Sequence, residues 1–400
     1  MHKPIIYSAV RSPRARAKSN GSLHTVPPQE LLSQLYKGLR AKSGLDLAKI
    51  EEVILGCVTQ QGLQAANIAR SSILYAGLPE HVPGLTVHRF CSSGLDAIAL
   101  AALKVQTGMM QCALAGGVEM MSRVPMLSDG ARVFTDAEFA RQCRTLLMGS
   151  GADLIASIHN ISRVEADQVA LLSQQRAAHA QTEGYFEPSI LPIKTADSIA
   201  EEDECVRPNT SMESLAALVP AFAALGASGV DAFQIENSET VEEIAHVHTP
   251  GNSPAMADAA GLLLIGSPEF SSSLTVKARA QLVASVTAAS DPLQVLTGCI
   301  AATKSLLSRT ELSSSDIDLF EIHEAFAATS VLAKRELAIG DDRLNVNGGV
   351  IALGHPMGAT GAIMAMTLLD ELERRNRRRG IVAAAGAAGS GSAILIDRDI

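Results

Sequence analysis

Ile50-Glu51-Glu52-Val53-Ile54-Leu55-Gly56 is a short apolar run of the kind that forms a buried strand, and Ile317-Asp318-Leu319-Phe320-Glu321-Ile322-His323 resembles it. A helical pattern precedes each, Leu31 to Ser43 before the first and Val295 to Leu307 before the second. A turn into another helix follows each at nearly the same distance: Cys91 lies 41 residues after Ile50, and His355 lies 38 after Ile317. Cys91-Ser92-Ser93-Gly94 opens an Ala/Leu-rich helix running to Gln106, apolar nearly all round and so expected to be buried, with Gly108 as its terminator. His355-Pro356-Met357-Gly358 opens a helix from Gly358 to Arg374. Apolar strands close both units, Cys112 to Gly117 and Gly380 to Ala385. All α/β chains share such spacing to a degree, but here helix, strand and turn agree in order, which points to a duplicated unit. Two halves facing each other would bring both turns to one central site.

Outward from this repeat, Ile5 to Val10 reads as a first strand. The stretch 119–248 has a different texture, with polar segments, Pro-rich turns and an amphipathic helix from Glu165 to Gln181. Glu201-Glu202-Asp203-Glu204 and Glu239 to Glu243 read as solvated faces. Gly251 to Gly266 returns to the core with the strand Leu262 to Ile265. The expected division is an N-terminal half, 1–118 plus 249–272, an inserted cap, 119–248, and a C-terminal half, 273–400.

Composition narrows the function. Hydrophobic residues are 47% and charged residues 19%, a globular balance that excludes disorder. Aromatics are only 3%, so Ala, Gly, Val, Ile and Leu must fill the interior by close helix-on-sheet packing. A net charge of −9 argues against a general nucleic-acid partner, which requires a basic field. The Arg374 to Arg379 cluster follows a helix, where cations complement the macrodipole. No apolar run approaches the ~18–20 residues of a membrane span, and no signal peptide or peroxisomal tripeptide is recognisable, so the cytoplasm is the expected location. The six Cys contain no C-x-x-C pair, so no metal site or disulfide framework is expected. Five of them read as small buried hydrophobes.

The chemistry-bearing residues stand at the turns. Cys91, in Arg89-Phe90-Cys91-Ser92-Ser93-Gly94, is placed at a helix N-terminus, where free N–H groups and the dipole favour thiolate and should lower its pKa from about 8.5. By itself it reads better as a buried structural thiol. His355, held between Gly354 and Pro356, is positioned to take a nearby thiol proton, or to cap its helix. His323 stands at a strand end, where sites in α/β sheets gather. It is placed to donate to a thioester oxygen or hold a water that does, with Glu324 orienting it or bracing the loop.

Phe90-Cys91-Ser92-Ser93-Gly94, Gly116-Gly117-Val118-Glu119-Met120-Met121-Ser122, His323-Glu324-Ala325-Phe326 and Asn347-Gly348-Gly349 through Gly354-His355-Pro356-Met357-Gly358-Ala359 together resemble the thiolase family, in that family's order and spacing over nearly the whole chain. The resemblance implies a duplicated five-layer α-β-α-β-α fold of the α/β class with an inserted cap or loop domain. It implies a CoA-dependent acyltransferase that cleaves 3-oxoacyl-CoA with CoA, or condenses in reverse. Coenzyme A would be a co-substrate rather than a bound cofactor. The partners implied are a second copy of the chain, as a dimer or a tetramer, and a β-oxidation enzyme. Cys91 becomes the acylated nucleophile, His355 its base, and His323 part of an oxyanion hole. The Cys91 N–H, with that of a residue near Ala387, forms a second hole. Arg207, Ser214 and Phe222 align with positions that contact CoA in relatives.

Two departures stand out. Ala385 in Ala383-Ala384-Ala385-Gly386-Ala387-Ala388-Gly389-Ser390-Gly391 falls where the family places a second catalytic Cys. Pro254 stands where relatives commonly have Ser, and the segment 223–248 is longer than in compact relatives. Cys91, His323 and His355 resemble instead the Cys-His-His set of β-ketoacyl synthases. That leaves three readings: a thiolase, a condensing enzyme with poor thiolysis, and a non-catalytic subunit.

Overall fold

The computed structural model describes residues 2–400, and its elements run twice through one pattern. The first half contains β1 (Ile5–Arg11), α1 (Pro28–Ser43), β2 (Glu52–Gly56), α2 (Ile68–Tyr75), β3 (Gly84–Val87), α3 (Ser93–Gln106) and β4 (Cys112–Met120). The longest helices of the stretch that follows are α4 (Met148–Ile158) and α5 (Arg163–Thr182), before β5 (Ala257–Gly266) returns to the sheet. The second half contains β6 (Ala280–Ala289), α6 (Gly298–Thr310), β7 (Leu319–Ile322), α7 (Ala327–Glu336), α8 (Met357–Arg374), β8 (Arg379–Ala385) and β9 (Ser390–Asp397).

Local chemistry sets the element ends. Pro28 occupies the first turn of α1 and Gly44 closes it at φ 70°, a conformation that suits a residue without a Cβ. A Ser162–Glu165 capping box starts α5. The helix expected from Val295 begins only at Gly298, because Asp291 caps a short 3-10 turn over Pro292–Gln294 and Val295 sits at φ 59°. Strand β4 continues to Met120, two residues beyond the expected limit of the core at 118.

Strands order as β3-β2-β4-β5-β1 in the first half and β6-β9-β8-β7 in the second. Leu344 bridges Phe320 in parallel at the outer edge of β7, in the place that β3 holds beside β2. Only β5 and β9 run antiparallel to the other strands of their halves. Strand order and direction therefore repeat together, as a duplication requires. The halves join where β1 pairs with β6, Ile5 opposite Gln281 and Ile6 opposite Ala280.

Three hydrophobic cores separate five layers. One lies between α1, α2 and the first sheet. Another lies between α6, α7 and the second sheet. The third joins both sheets through α3 and α8, with Ile54, Ile98, Leu263, Ala362, Leu369, Val382 and Ile394 all buried within it. Every residue of α8 from Met357 to Leu372 is buried, which is why that helix shows no polar face. Small residues let the central helices touch: a Cβ on Gly94 would sit 2.7 Å from the Gly358 carbonyl oxygen.

The acidic stretch 201–204 is not wholly solvated. Asp203 is buried and takes a bidentate contact from Arg11, at 2.7 and 2.9 Å, together with Arg14 at 3.1 Å. An isolated acidic run carries no sign of this, because both partners lie some 190 residues upstream. Cys143 is half-buried, so four rather than five of the other cysteines are fully buried, and all six are free.

The long segment after Phe222 is tied down by one carboxylate. Asp153 on α4 accepts the backbone N–H groups of Val247 and His248 and meets His246 Nδ1 and His248 Nδ1 at 2.8 and 2.7 Å.

Candidate active site

Cys91 and His355 occupy equivalent places in the two halves. Each lies two residues before the first residue of its central helix, Ser93 of α3 and Met357 of α8. The turn at Cys91 is tight, with Phe90 at φ 48°. Ser93 holds it by accepting the Arg89 N–H at 2.8 Å and donating to the Phe90 carbonyl at 2.5 Å. The turn at His355 uses Gly354 at φ 95° and is fastened by the His355 N–H donating to the Ala255 carbonyl at 2.7 Å.

The two side chains meet. His355 Nε2 is 3.1 Å from Cys91 Sγ, and His355 Nδ1 is 2.7 Å from Thr360 Oγ1. With Nδ1–H donating to Thr360, Nε2 turns its lone pair to the thiol. Thr360 escaped the sequence reading because a hydroxyl one turn into an apolar helix looks like filler. Its Oγ1 reaches His355 only because the ring folds back over α8.

Burial dominates the electrostatics and overturns one expectation. The Cys91 thiol is pushed up to about 12 by desolvation and then by Glu119, against which its own N–H acts only weakly. The net shift is upward, opposite to the acidic thiol expected at a helix start. His355 is held well below the ordinary imidazole range by burial, with His323 and Arg14 adding to the effect. The resting pair is therefore a neutral thiol beside a neutral imidazole, and thiolate must form by transfer to His355 during attack.

Glu119 lies beneath both turns. Its carboxylate accepts the N–H groups of Val58, Thr59 and Gly358, and the Gln64 side chain. The Gly358 contact ties up an N–H in the first turn of α8. Burial raises Glu119 above the usual carboxylate range, and these donors oppose it.

His323 completes the cluster. It is 1% exposed, its ring centroid is 4.5 Å from that of His355, and its backbone N–H donates to the Ala383 carbonyl at 2.9 Å. Burial lowers its pKa to about 4, while the Ala385 carbonyl beside the ring pulls the other way. It is thus neutral near pH 7 rather than poised to titrate there. Glu324 does not orient it. Glu324 braces the loop, accepting the Ser173 hydroxyl at 2.8 Å, the Ile351 N–H at 3.2 Å and the Asn345 amide at 3.3 Å. Ala385 is fully buried at the end of β8, opposite Gly391. Ala387 follows in a turn carried by Ala388 at φ 54° and Gly389 at φ 73°.

The three cap residues stand apart from this cluster. The Arg207 N–H donates to Gln174, and its guanidinium reaches the Gly251 carbonyl at 3.4 Å. Ser214 exchanges hydrogen bonds with Ser211 in a capping box at the start of helix 212–216. Phe222 packs edge-on against Phe326 at 5.8 Å, three residues from His323.

The chain is similar to known proteins over nearly its whole length. The thiolase N-terminal domain family matches residues 5–232 and the thiolase C-terminal domain family matches 276–398. The 3-ketoacyl-CoA thiolase of Aliivibrio fischeri is 35% identical over 407 residues, covering 100% of both chains. The beta-ketoadipyl-CoA thiolase of Pseudomonas knackmussii is 35% identical over 420 residues, covering 98% of each. The crystal structure of the Bacillus anthracis acetyl-CoA acetyltransferase superposes with a TM-score of 0.85 at 32% identity, covering 99% of both chains. The doubled fold, the facing helix starts and these similarities have one meaning: the chain belongs to the thiolase family.

Proposed function

We propose that this thiolase-type CoA acyltransferase cleaves 3-oxoacyl-CoA through a Cys91 acyl-enzyme. The observation that carries the reading is the 3.1 Å contact between Cys91 Sγ and His355 Nε2. Cys91 attacks the 3-oxo carbon as its proton passes to His355. The carbon–carbon bond breaks, acetyl-CoA leaves, and CoA thiolyses the acyl-enzyme. His323 serves one oxyanion hole, and the backbone N–H groups of Cys91 and Ala387 serve the other. Arg207 retains guanidinium donors for CoA phosphates, with Ser214 and Phe222 on the same cap. The stretch 119–248 is the inserted cap or loop domain that carries these residues, beside the two halves, 1–118 plus 249–272 and 273–400. The half-exposed edge strand β3 supports assembly with a second copy. Mixing purified protein with 3-oxoacyl-CoA of graded chain length, with and without CoA, tests the reading. CoA-dependent acetyl-CoA release supports it, and no release at any length refutes it.

A second reading is favoured by Ala385. A methyl group moves no proton, so a condensing enzyme with weak thiolysis fits the Cys91–His323–His355 set. Condensation of acetyl-CoA outrunning thiolysis in the same assay would favour it. Among the described residues no helix is long and apolar enough to cross a membrane.

A further inference from the structure

Glu321 lies in β7, His323 is the residue just past its end, where its backbone N–H still bonds to the Ala383 carbonyl, and both side chains line one cavity. Leu319, on the same face of β7 as Glu321, belongs to the central core, whereas Phe320 and Ile322 belong to the outer one. Glu321 therefore carries a carboxyl into the middle layer, where it is 4% exposed. A small cavity lies against it, lined among others by Arg14, Glu321, His323, Glu324, Gly349 and Thr367. It leaves about 10 Å³ for the centre of a water-sized sphere, room for a single water. Both ring nitrogens of His323, and Nε of the buried Arg14, lack a well-formed hydrogen bond within the protein, the Ala385 carbonyl lying near the His323 ring without closing one. Buried polar groups in such a place call for a hydrogen-bonding occupant.

A neutral imidazole that gives up its N–H to carbon becomes an unstable imidazolate unless its other nitrogen gains a proton. A protonated carboxyl behind it removes that difficulty. Burial, then Glu324, push Glu321 well above the usual carboxylate range, Glu371 adds to this, and Arg14 and Arg176 oppose it.

We propose that Glu321, one water in this cavity and His323 form a proton relay to the substrate α-carbon, replacing the thiol that Ala385 lacks. The proposal rests on the thiolase reading above. When the carbon–carbon bond breaks, the acetyl-CoA enolate takes the proton from one nitrogen of His323. The other nitrogen takes a proton from the water, and the water takes one from Glu321. The ring is neutral before and after, and Glu321 ends as carboxylate. The proton that His355 took from Cys91 then passes through His323 and the water back to Glu321. His355, neutral again, takes the thiol proton of the incoming CoA and hands it to the Cys91 thiolate that leaves as the acyl group moves to the CoA sulfur.

Glu321→Gln keeps shape and hydrogen bonding but cannot carry the proton. Two reactions of the full-length protein separate the roles: acylation of Cys91 by acetyl-CoA, followed by intact mass, and exchange of acetyl-CoA methyl hydrogens for deuterium. Exchange should fall by roughly 10²-fold or more, with acylation within about threefold of the parent. Glu321→Asp should recover most of the exchange, and Ala385→Cys in the Gln background should recover it without any carboxyl at 321. Unchanged exchange in Glu321→Gln overturns the relay, and so does a parallel fall in both reactions. If Glu321→Gln does not fold, Thr367→Ile fills the cavity from α8 and should suppress exchange alone; normal exchange in that folded variant overturns the relay. Failure of the parent to acylate at Cys91 instead overturns the thiolase reading.

Discussion

His355 Nε2 lies 3.1 Å from Cys91 Sγ, and the two residues hold the same position in the two halves, each two residues ahead of a central helix. A duplicated turn has thus been given two chemistries, a nucleophile in one copy and a base in the other. Cys91→Ala should abolish the acyl-enzyme. Intact-mass and peptide mass spectrometry after incubation with acyl-CoA should show the adduct on Cys91 in the parent and none in the variant. An adduct on another residue would remove Cys91 from its role.

His355→Ala should slow acylation by roughly 10²–10⁴-fold with the fold retained. The pH dependence follows from the shifts. His355 is held well below the ordinary imidazole range and the thiol is pushed up to about 12. Both are neutral at pH 7, so acylation should stay level as pH falls through 6.5 and drop only when His355 protonates in more acidic solution. A rate that tracks an ordinary imidazole titration would contradict a buried, neutral His355.

His323→Asn should spare acylation and damage α-carbon exchange, because Asn donates a hydrogen bond but passes no proton. Ala385→Cys should raise thiolysis or exchange if the buried pocket at the end of β8 accepts a thiol. The two changes should combine non-additively, since each concerns the same proton. Intact exchange in His323→Asn, with no gain from Ala385→Cys in either background, would assign that proton to another group.

Asp203→Asn should destabilise the protein by about 3–5 kcal/mol, because Arg11 and Arg14 would be left buried without their counter-charge. Burial alone would raise the Asp203 carboxyl, but the two arginines outweigh it and hold it below its ordinary value. A depressed folded pKa means the contribution is complete above the unfolded value of about 3.9 and is lost as pH falls below it. Urea titrations at neutral and acid pH should show the parent losing stability over that range more steeply than the variant. Equal slopes would remove Asp203 from the linkage.

Gly94→Ala should cost roughly 1–3 kcal/mol. Its Cβ would meet the Gly358 carbonyl at 2.7 Å and Ala362 N at 3.1 Å, backbone atoms that cannot rotate away. Since Gly94 and Gly358 each lie three residues beyond Cys91 and His355, acylation should fall as well. An unchanged melting temperature and rate would show that α3 and α8 have slack between them.

The doubled α/β plan was legible because it is written in periodicity. A buried strand such as Glu52 to Gly56, and an apolar helix such as α8, announce themselves by the absence of a polar face. Cys91, His323 and His355 were legible because rare residue types stand at turns between such elements. Helix α6 was placed three residues early, because Val295 looks helical by composition while its φ of 59° is imposed by the turn before it.

Other features depend on atoms far apart in the chain. Thr360 behind His355, Glu119 beneath both helix starts, and Asp203 between Arg11 and Arg14 are contacts that no local pattern encodes. The sequence alone determined the repeat and the two turns, since these are matters of order and residue type. Only the tertiary structure decided the charge states. A helix start alone predicts an acidic thiol at Cys91, but packing α3 and α8 between two sheets desolvates Cys91, His355 and His323 together and shifts all three toward their neutral forms.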